Sequence, residues 1–96
     1  MLQQVISTSA LHQCIVDNNK QALMQLLAQR TNVDERNHSG KTALHLAALL
    51  GLEGFVRDLL GANASIDIKD NEGVTPRDYA AWNFHLGVIK LLENNK

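Results

Sequence analysis

The stretch GKTALHLAALLGLEGFVRDLLGANASIDIKDNEG, residues 40–73, decides the fold. It opens on a turn-forming Gly40, then Thr42, whose hydroxyl suits a helix N-cap, then a short apolar helix predicted from Ala43 to Leu50. Gly51 stops that helix. A second helix is predicted from Glu53 to about Leu60, because Phe55, Val56, Leu59 and Leu60 stand at i, i+1, i+4 and i+5 and form one apolar face. Asn63 closes it, since Asn tolerates the left-handed conformation of a helix end. Ser65-Ile66-Asp67-Ile68 then reads as a short extended arm, and Lys69 to Gly73 as an exposed polar turn.

The same helix, helix, finger unit recurs on both sides. A shift of 33 places Gly40 on Gly73, Thr42 on Thr75, Leu11-His12 on Leu44-His45, Leu26-Leu27 on Leu59-Leu60 and Asp34 on Asp67, with no gap. Three units follow, approximately 7–39, 40–72 and 73–96, and residues 1–96 read as a single repeat domain. At this length there is no room for a second core.

The run Gly-Lys-Thr-Ala-Leu-His-Leu-Ala-Ala at 40–48 resembles the Gly-x-Thr-Pro-Leu-His-x-Ala-Ala signature of ankyrin repeats, whose period is also that of this chain. The resemblance covers nearly the whole chain. It implies an all-α repeat solenoid of stacked helix-turn-helix units with short β-hairpin-like fingers, and a function of binding rather than catalysis.

The outer units depart from the pattern as ends should. Unit one carries Asp17-Asn18-Asn19-Lys20-Gln21 and Gln25, a polar dressing that suits the outer face of a terminal repeat. Unit three has Pro76 at the first helical position, where a missing N–H costs nothing, and Asp78 in the place of the family histidine, where a carboxylate can complete a capping box with Thr75. Residues 1–8 have no partner in the pattern, and a lead-in helical turn and a frayed end are both open there. With only three repeats, modest stability is expected.

Composition narrows the function. Hydrophobic residues make up 45% and charged residues 20%, as in folded globular proteins, and nine basic against ten acidic side chains leave no field to attract nucleic acid or anionic lipid. No apolar run approaches the roughly 20 residues that span a bilayer, and the first residues lack the basic and apolar regions of a secretory signal, so the mature chain is expected to begin near Met1. The single cysteine, Cys14, fits a reducing compartment. Cytoplasm or nucleus is the expected location, and the family resemblance admits delivery into a host cell as well.

Four histidines and one thiol raise the question of chemistry. His12 and His45 occupy the same repeat position, where resemblance to ankyrin repeats implies imidazole bonds between neighbouring turns. His38 in a finger and His85 between helices are expected at the surface, with no ligand set at zinc spacing beside them. Cys14 aligns with Ala47 and Ala80 and reads as a small buried group, with no base or third group to make it a nucleophile. No glycine loop of phosphate-binding type is present. No enzyme, cofactor or metal site is expected.

The family places partner contacts on finger tips and on the exposed side of each first helix, which together form a concave surface. Carried onto this chain, the finger positions are Asn37, His38, Ser39 and Lys41, then Asp70, Asn71, Glu72 and Val74. The helix positions are Val16 and Asp17, Leu49 and Leu50, and Trp82 and Asn83. Leu49, Leu50 and Trp82 are apolar where the family is variable and often polar, with Leu52 and Phe84 flanking them. Two readings of Trp82 and Phe84 stand side by side: anchors for a partner, or side chains folded inward over unit three. The expected function is a protein–protein interaction module, an adaptor, inhibitor or targeting unit, acting as a monomer or weak homodimer. The alternative is self-assembly through the apolar residues of unit three.

Overall fold

Three helix pairs account for the described structure: α1 (Ala10–Val16) with α2 (Lys20–Ala28), α3 (Ala43–Leu50) with α4 (Glu53–Gly61), and α5 (Pro76–Trp82) with α6 (Leu86–Glu93). The computed structural model describes residues 9–94. The open reading of residues 1–8 lies outside them. First helices α1, α3 and α5 pack in sequence as one layer, second helices α2, α4 and α6 as another, and each pair is joined across the layers. The result is an elongated stack of 43 × 29 × 19 Å.

Local chemistry sets each boundary. Ser9, Thr42 and Thr75 accept hydrogen bonds from the backbone N–H groups of His12, His45 and Asp78 at 3.3, 3.3 and 3.2 Å, which satisfies donors that a helix start leaves free. Asp78 closes the expected capping box by accepting the Thr75 N–H at 3.1 Å. Each first helix ends on a residue with positive φ at the same register: Asn18 (57°), Gly51 (74°) and Phe84 (59°). The second helices are followed by Arg30 (61°) and Asn63 (69°) in the same conformation.

The core lies between the layers. Leu11, Ile15, Leu23, Leu44, Val56, Leu59 and Val88 are fully buried, with Cys14, Ala47 and Ala80 as the small groups that let helices approach closely. Burying a side chain of Leu or Val size stabilises by about 1.5–3 kcal/mol. The units are also tied by polar bonds: the imidazole Nε2–H of His12 donates to the Lys41 carbonyl at 2.7 Å and that of His45 to the Val74 carbonyl at 2.9 Å. Their Nδ1 atoms face the Ser9 and Thr42 hydroxyls, so each ring links a helix start to the next finger. Asp34 adds a second tie by accepting from the Ser65 N–H and hydroxyl, both at 2.9 Å.

The fingers are hairpin-like turns, in which Asn37 donates its N–H to the Lys41 carbonyl and Asp70 to the Val74 carbonyl, both at 2.9 Å, and no strand is assigned among the described residues. Two expectations change. Lys20 is more than end dressing: its ammonium lies 3.0 Å from the Asp58 carboxylate and over the Phe55 ring, reaching from unit one to unit two. His85 is half-buried, because its Nε2–H donates to the Leu49 carbonyl at 3.0 Å and its ring rests on Gly51.

Candidate functional site

The two finger turns are built alike. The side-chain oxygen of Asn37 accepts from the Ser39 and Lys41 N–H groups at 2.9 and 3.0 Å, and that of Asp70 from Glu72 and Val74 at 2.9 Å each. Backbone bonds close both turns, from Gly40 to Asn37 and from Gly73 to Asp70. The fingers are also joined side by side: Asn71 donates through its N–H to the Ser39 carbonyl and through its amide to the His38 carbonyl, at 3.0 and 2.8 Å. Gly40 makes this possible, since a Cβ there would stand 2.8 Å from the Asn71 nitrogen.

Asp70, expected as an exposed finger contact, is instead only 5% exposed. Its second oxygen accepts from the Tyr79 hydroxyl, and the Lys41 ammonium lies 3.5 Å away, over the Tyr79 ring. Burial alone would raise the carboxyl. The bonds from Tyr79, Val74 and Glu72, with the charge of Lys41, outweigh it and hold Asp70 well below the usual carboxylate range. Tyr79 is pushed the other way, by burial and by the carboxylate it serves. A buried charge is tolerated only when paired and hydrogen-bonded, and this one is. Asp70 therefore shapes the finger from within. Lys41 and Val74, half-buried, belong with it: one pairs with Asp70 and the other receives His45.

Of the finger positions expected from the sequence, His38, Ser39, Asn71 and Glu72 are exposed. Along the first helices, residues at one register form rows from unit to unit: Gln13, Leu46 and Tyr79; Val16, Leu49 and Trp82; Asp17, Leu50 and Asn83. Val16, Leu50 and Trp82 are exposed, the last to 62%, while Leu49 is half-buried. Trp82 stands edge-on to Tyr79, with ring centroids 5.7 Å apart, and Tyr79 in turn meets the His45 ring at 6.0 Å. Neither Trp82 nor Phe84, at 83% exposure, folds inward over unit three. The covering role does not hold, because Ala80, Val88 and Leu92 already fill that part of the core.

Tyr79 and Leu46 were absent from the sequence-based set although they lie one helical turn before Trp82 and Leu49. The signal was the i, i+3 spacing on a helix, which puts each pair on one face. As for chemistry, the Cys14 thiol donates to the Leu11 carbonyl at 3.0 Å, and burial pushes it up, away from the reactive thiolate. Among the described residues, no three His, Cys, Asp or Glu side chains gather to hold a metal ion, and no helix is long and apolar enough to cross a membrane.

Residues 11–96 match the family model described as ankyrin repeats in three copies. Similar proteins include tyrosine-protein kinase Shark of Drosophila melanogaster, 37% identical over 86 residues that make up 88% of this chain and 9% of the kinase. Rabankyrin-5 of Mus musculus is 34% identical over 94 residues, 85% of this chain and 8% of that protein. The putative ankyrin repeat protein FPV219 of fowlpox virus is 37% identical over 67 residues, 70% of this chain and 15% of its own length. The chain thus spans a small part of the relatives it matches.

Proposed function

We propose that this chain, which belongs to the ankyrin-repeat family, works by holding a protein partner against the exposed faces of its first helices and the tips of its fingers. Ankyrin repeats in general mediate protein–protein interaction and are not themselves catalytic. The observation that carries the reading is the row of apolar side chains at matching positions of successive units, exposed Val16, half-buried Leu49 and exposed Trp82, with exposed Leu50 beside it. Neighbouring helices pack about 8–10 Å apart, so the row extends roughly 20 Å across the stack. Such a row costs solubility and contributes little to the core, and it ends on a tryptophan, a residue type that often carries binding energy.

In this reading Leu49, Leu50, Trp82 and Asn83 meet the partner from the helices, and His38, Ser39, Asn71 and Glu72 from the fingers. Asn37, Lys41, Asp70 and Val74 hold the finger shape behind them. No charge of one sign dominates, so recognition rests on shape and apolar contact rather than on an electrostatic field. A lone buried thiol supports action in a reducing compartment, cytoplasm or nucleus.

The test is affinity capture with the wild-type chain beside a Leu50→Ala, Trp82→Ala variant. Because both side chains are exposed, the variant should melt within a few degrees of wild type and lose the principal captured protein. Identical capture from both would sink the surface.

A further inference from the structure

Phe84 adopts a backbone conformation that its side chain disfavours. Each first helix closes alike: in unit two Gly51 donates to the Ala48 carbonyl and Leu52 to Ala47, and in unit three Phe84 donates to Ala81 and His85 to Ala80. The residue in the left-handed position is Asn18, Gly51 and Phe84 in turn. Asn and Gly enter that region readily, whereas a bulky side chain there is a steric outlier. The fold does not compensate, because Phe84 is 83% exposed and packs into no core. Trp82 and Leu86, at 62% and 69% exposure, flank it. Three large apolar groups within five residues of chain thus face solvent, the middle one in a strained backbone.

We propose that the turn Trp82-Asn83-Phe84-His85-Leu86 is a two-fold contact between two copies of this chain. Charge does not oppose a second copy. Residues 80–89, AAWNFHLGVI, contain no Asp, Glu, Lys or Arg. The Glu53 carboxylate, which lies against Gly87, has its partner in Arg57 at 3.8 Å. A two-fold axis sets a segment opposite itself, where unpaired charges would repel, and this segment has none to repel.

Area agrees with a weak dimer. Aromatic side chains carry about 150–250 Å² each, so the exposed parts of Trp82 and Phe84, with that of Leu86 added, offer on the order of 400 Å² per copy. With Asn83 and Leu50 at the rim, two copies together approach the roughly 1,000–1,200 Å² at which specific interfaces begin. The base is rigid, since the His85 bond to the Leu49 carbonyl fixes the turn against unit two and little ordering is left to the moment of contact. The contact shares Trp82, Asn83 and Leu50 with the partner surface proposed above and adds Phe84 and Leu86, so a second copy and a different partner compete for it, and Phe84 and Leu86 are the positions that tell the two apart.

Sedimentation equilibrium of the 96-residue chain, from about 5 to about 500 μM, reads the proposal directly. The mass should move from monomer toward dimer across that range. Phe84→Gly should weaken association at least about tenfold, while its melting temperature, taken at the lowest concentration, equals or exceeds that of wild type by a few degrees. Leu86→Ala, which leaves the strained position alone, should also weaken association. A wild-type chain that stays monomeric throughout overturns the proposal and leaves a different protein as occupant. So does a dimer indifferent to both substitutions, which must use another face. A Phe84→Gly chain that melts many degrees lower overturns it as well, by assigning Phe84 to the monomer's own packing.

Discussion

In the middle unit His45 stands three residues after the capping Thr42 and reaches forward to the Val74 carbonyl; in the last unit Asp78 holds the same place after Thr75 and bonds to its own cap. The same contrast runs through the two units. Leu44 is buried between neighbours, while its counterpart Arg77 is exposed and pairs with Glu93, with its Nε at 3.2 Å. Gly51 lies under the His85 ring, while its counterpart Phe84 points into solvent. The backbone is held constant by caps, left-handed helix ends and turn-closing side chains, each of which several residue types can supply. What differs at these registers is the destination of the side chains: Leu44 and His45 of the middle unit reach its neighbours, while Arg77, Asp78 and Phe84 of the last unit go to its own cap, its own second helix and the surface.

The largest expected effect breaks that contrast at one register. Leu44→Ala should cost about 2–5 kcal/mol, a large share of the stability of a small domain, because a buried side chain leaves a cavity between units. Arg77→Ala should cost less than about 1 kcal/mol, as for an exposed ion pair. Urea unfolding of the two variants measures both, and equal losses would mean that unit three is packed like unit two.

A smaller effect compares the fingers. Asp70→Asn keeps the turn but takes the carboxylate from Tyr79 and Lys41, and should lose about 1–3 kcal/mol. Asn37→Asp, at the matching position, should change stability by less than about 0.5 kcal/mol. The comparison sharpens if Tyr79→Phe removes most of the Asp70→Asn penalty in a double-mutant cycle, since the two groups share one bond.

The smallest effect is pH dependence. Burial first, and then the charge of Lys41, lower the His45 pKa against the bonds that would raise it. A lowered histidine is held neutral in the fold, so its contribution is complete above its ordinary value near 6.5 and declines as pH falls below it. Stability should therefore decrease from pH 7 to pH 5, by less than about 1.4 kcal/mol per unit, the limit for one proton. Asp70 acts lower on the scale: its depressed carboxyl stabilises above its ordinary value near 3.8 and loses that contribution as pH falls further. In His45→Gln the pH 7 to 5 decline should flatten, as chemical unfolding at a series of pH values will show.

Much of the fold was legible because the rules that make it are local. Thr42, Thr75 and Asn63 act within a few residues of themselves, and a 33-residue shift lays Thr42 on Thr75 without any knowledge of packing. The same shift laid Phe84 on Gly51, so the strained helix end could have been found from sequence by asking which residue stands where a glycine belongs. Asp70 was harder. Its burial depends on Tyr79, nine residues on in the next unit, and Lys41, at the opposite end of its own unit, and neither is at a spacing that periodicity reads. His85 failed for the same reason, since its acceptor is a backbone carbonyl 36 residues earlier. Exposure of Trp82 was undecidable from sequence because an apolar residue at a helix end serves core and surface equally well.

Trp82 is the one tryptophan of the chain, so its fluorescence reports the proposed surface without any label. The most direct measurement is acrylamide quenching of that emission at micromolar concentration, for the chain alone and with its captured partner at saturation. The account predicts ready access in the free chain, where Trp82 is 62% exposed, and strong shielding, with a blue-shifted emission, in the complex. Quenching and emission unchanged by a saturating partner would contradict it and place the binding surface elsewhere on the stack.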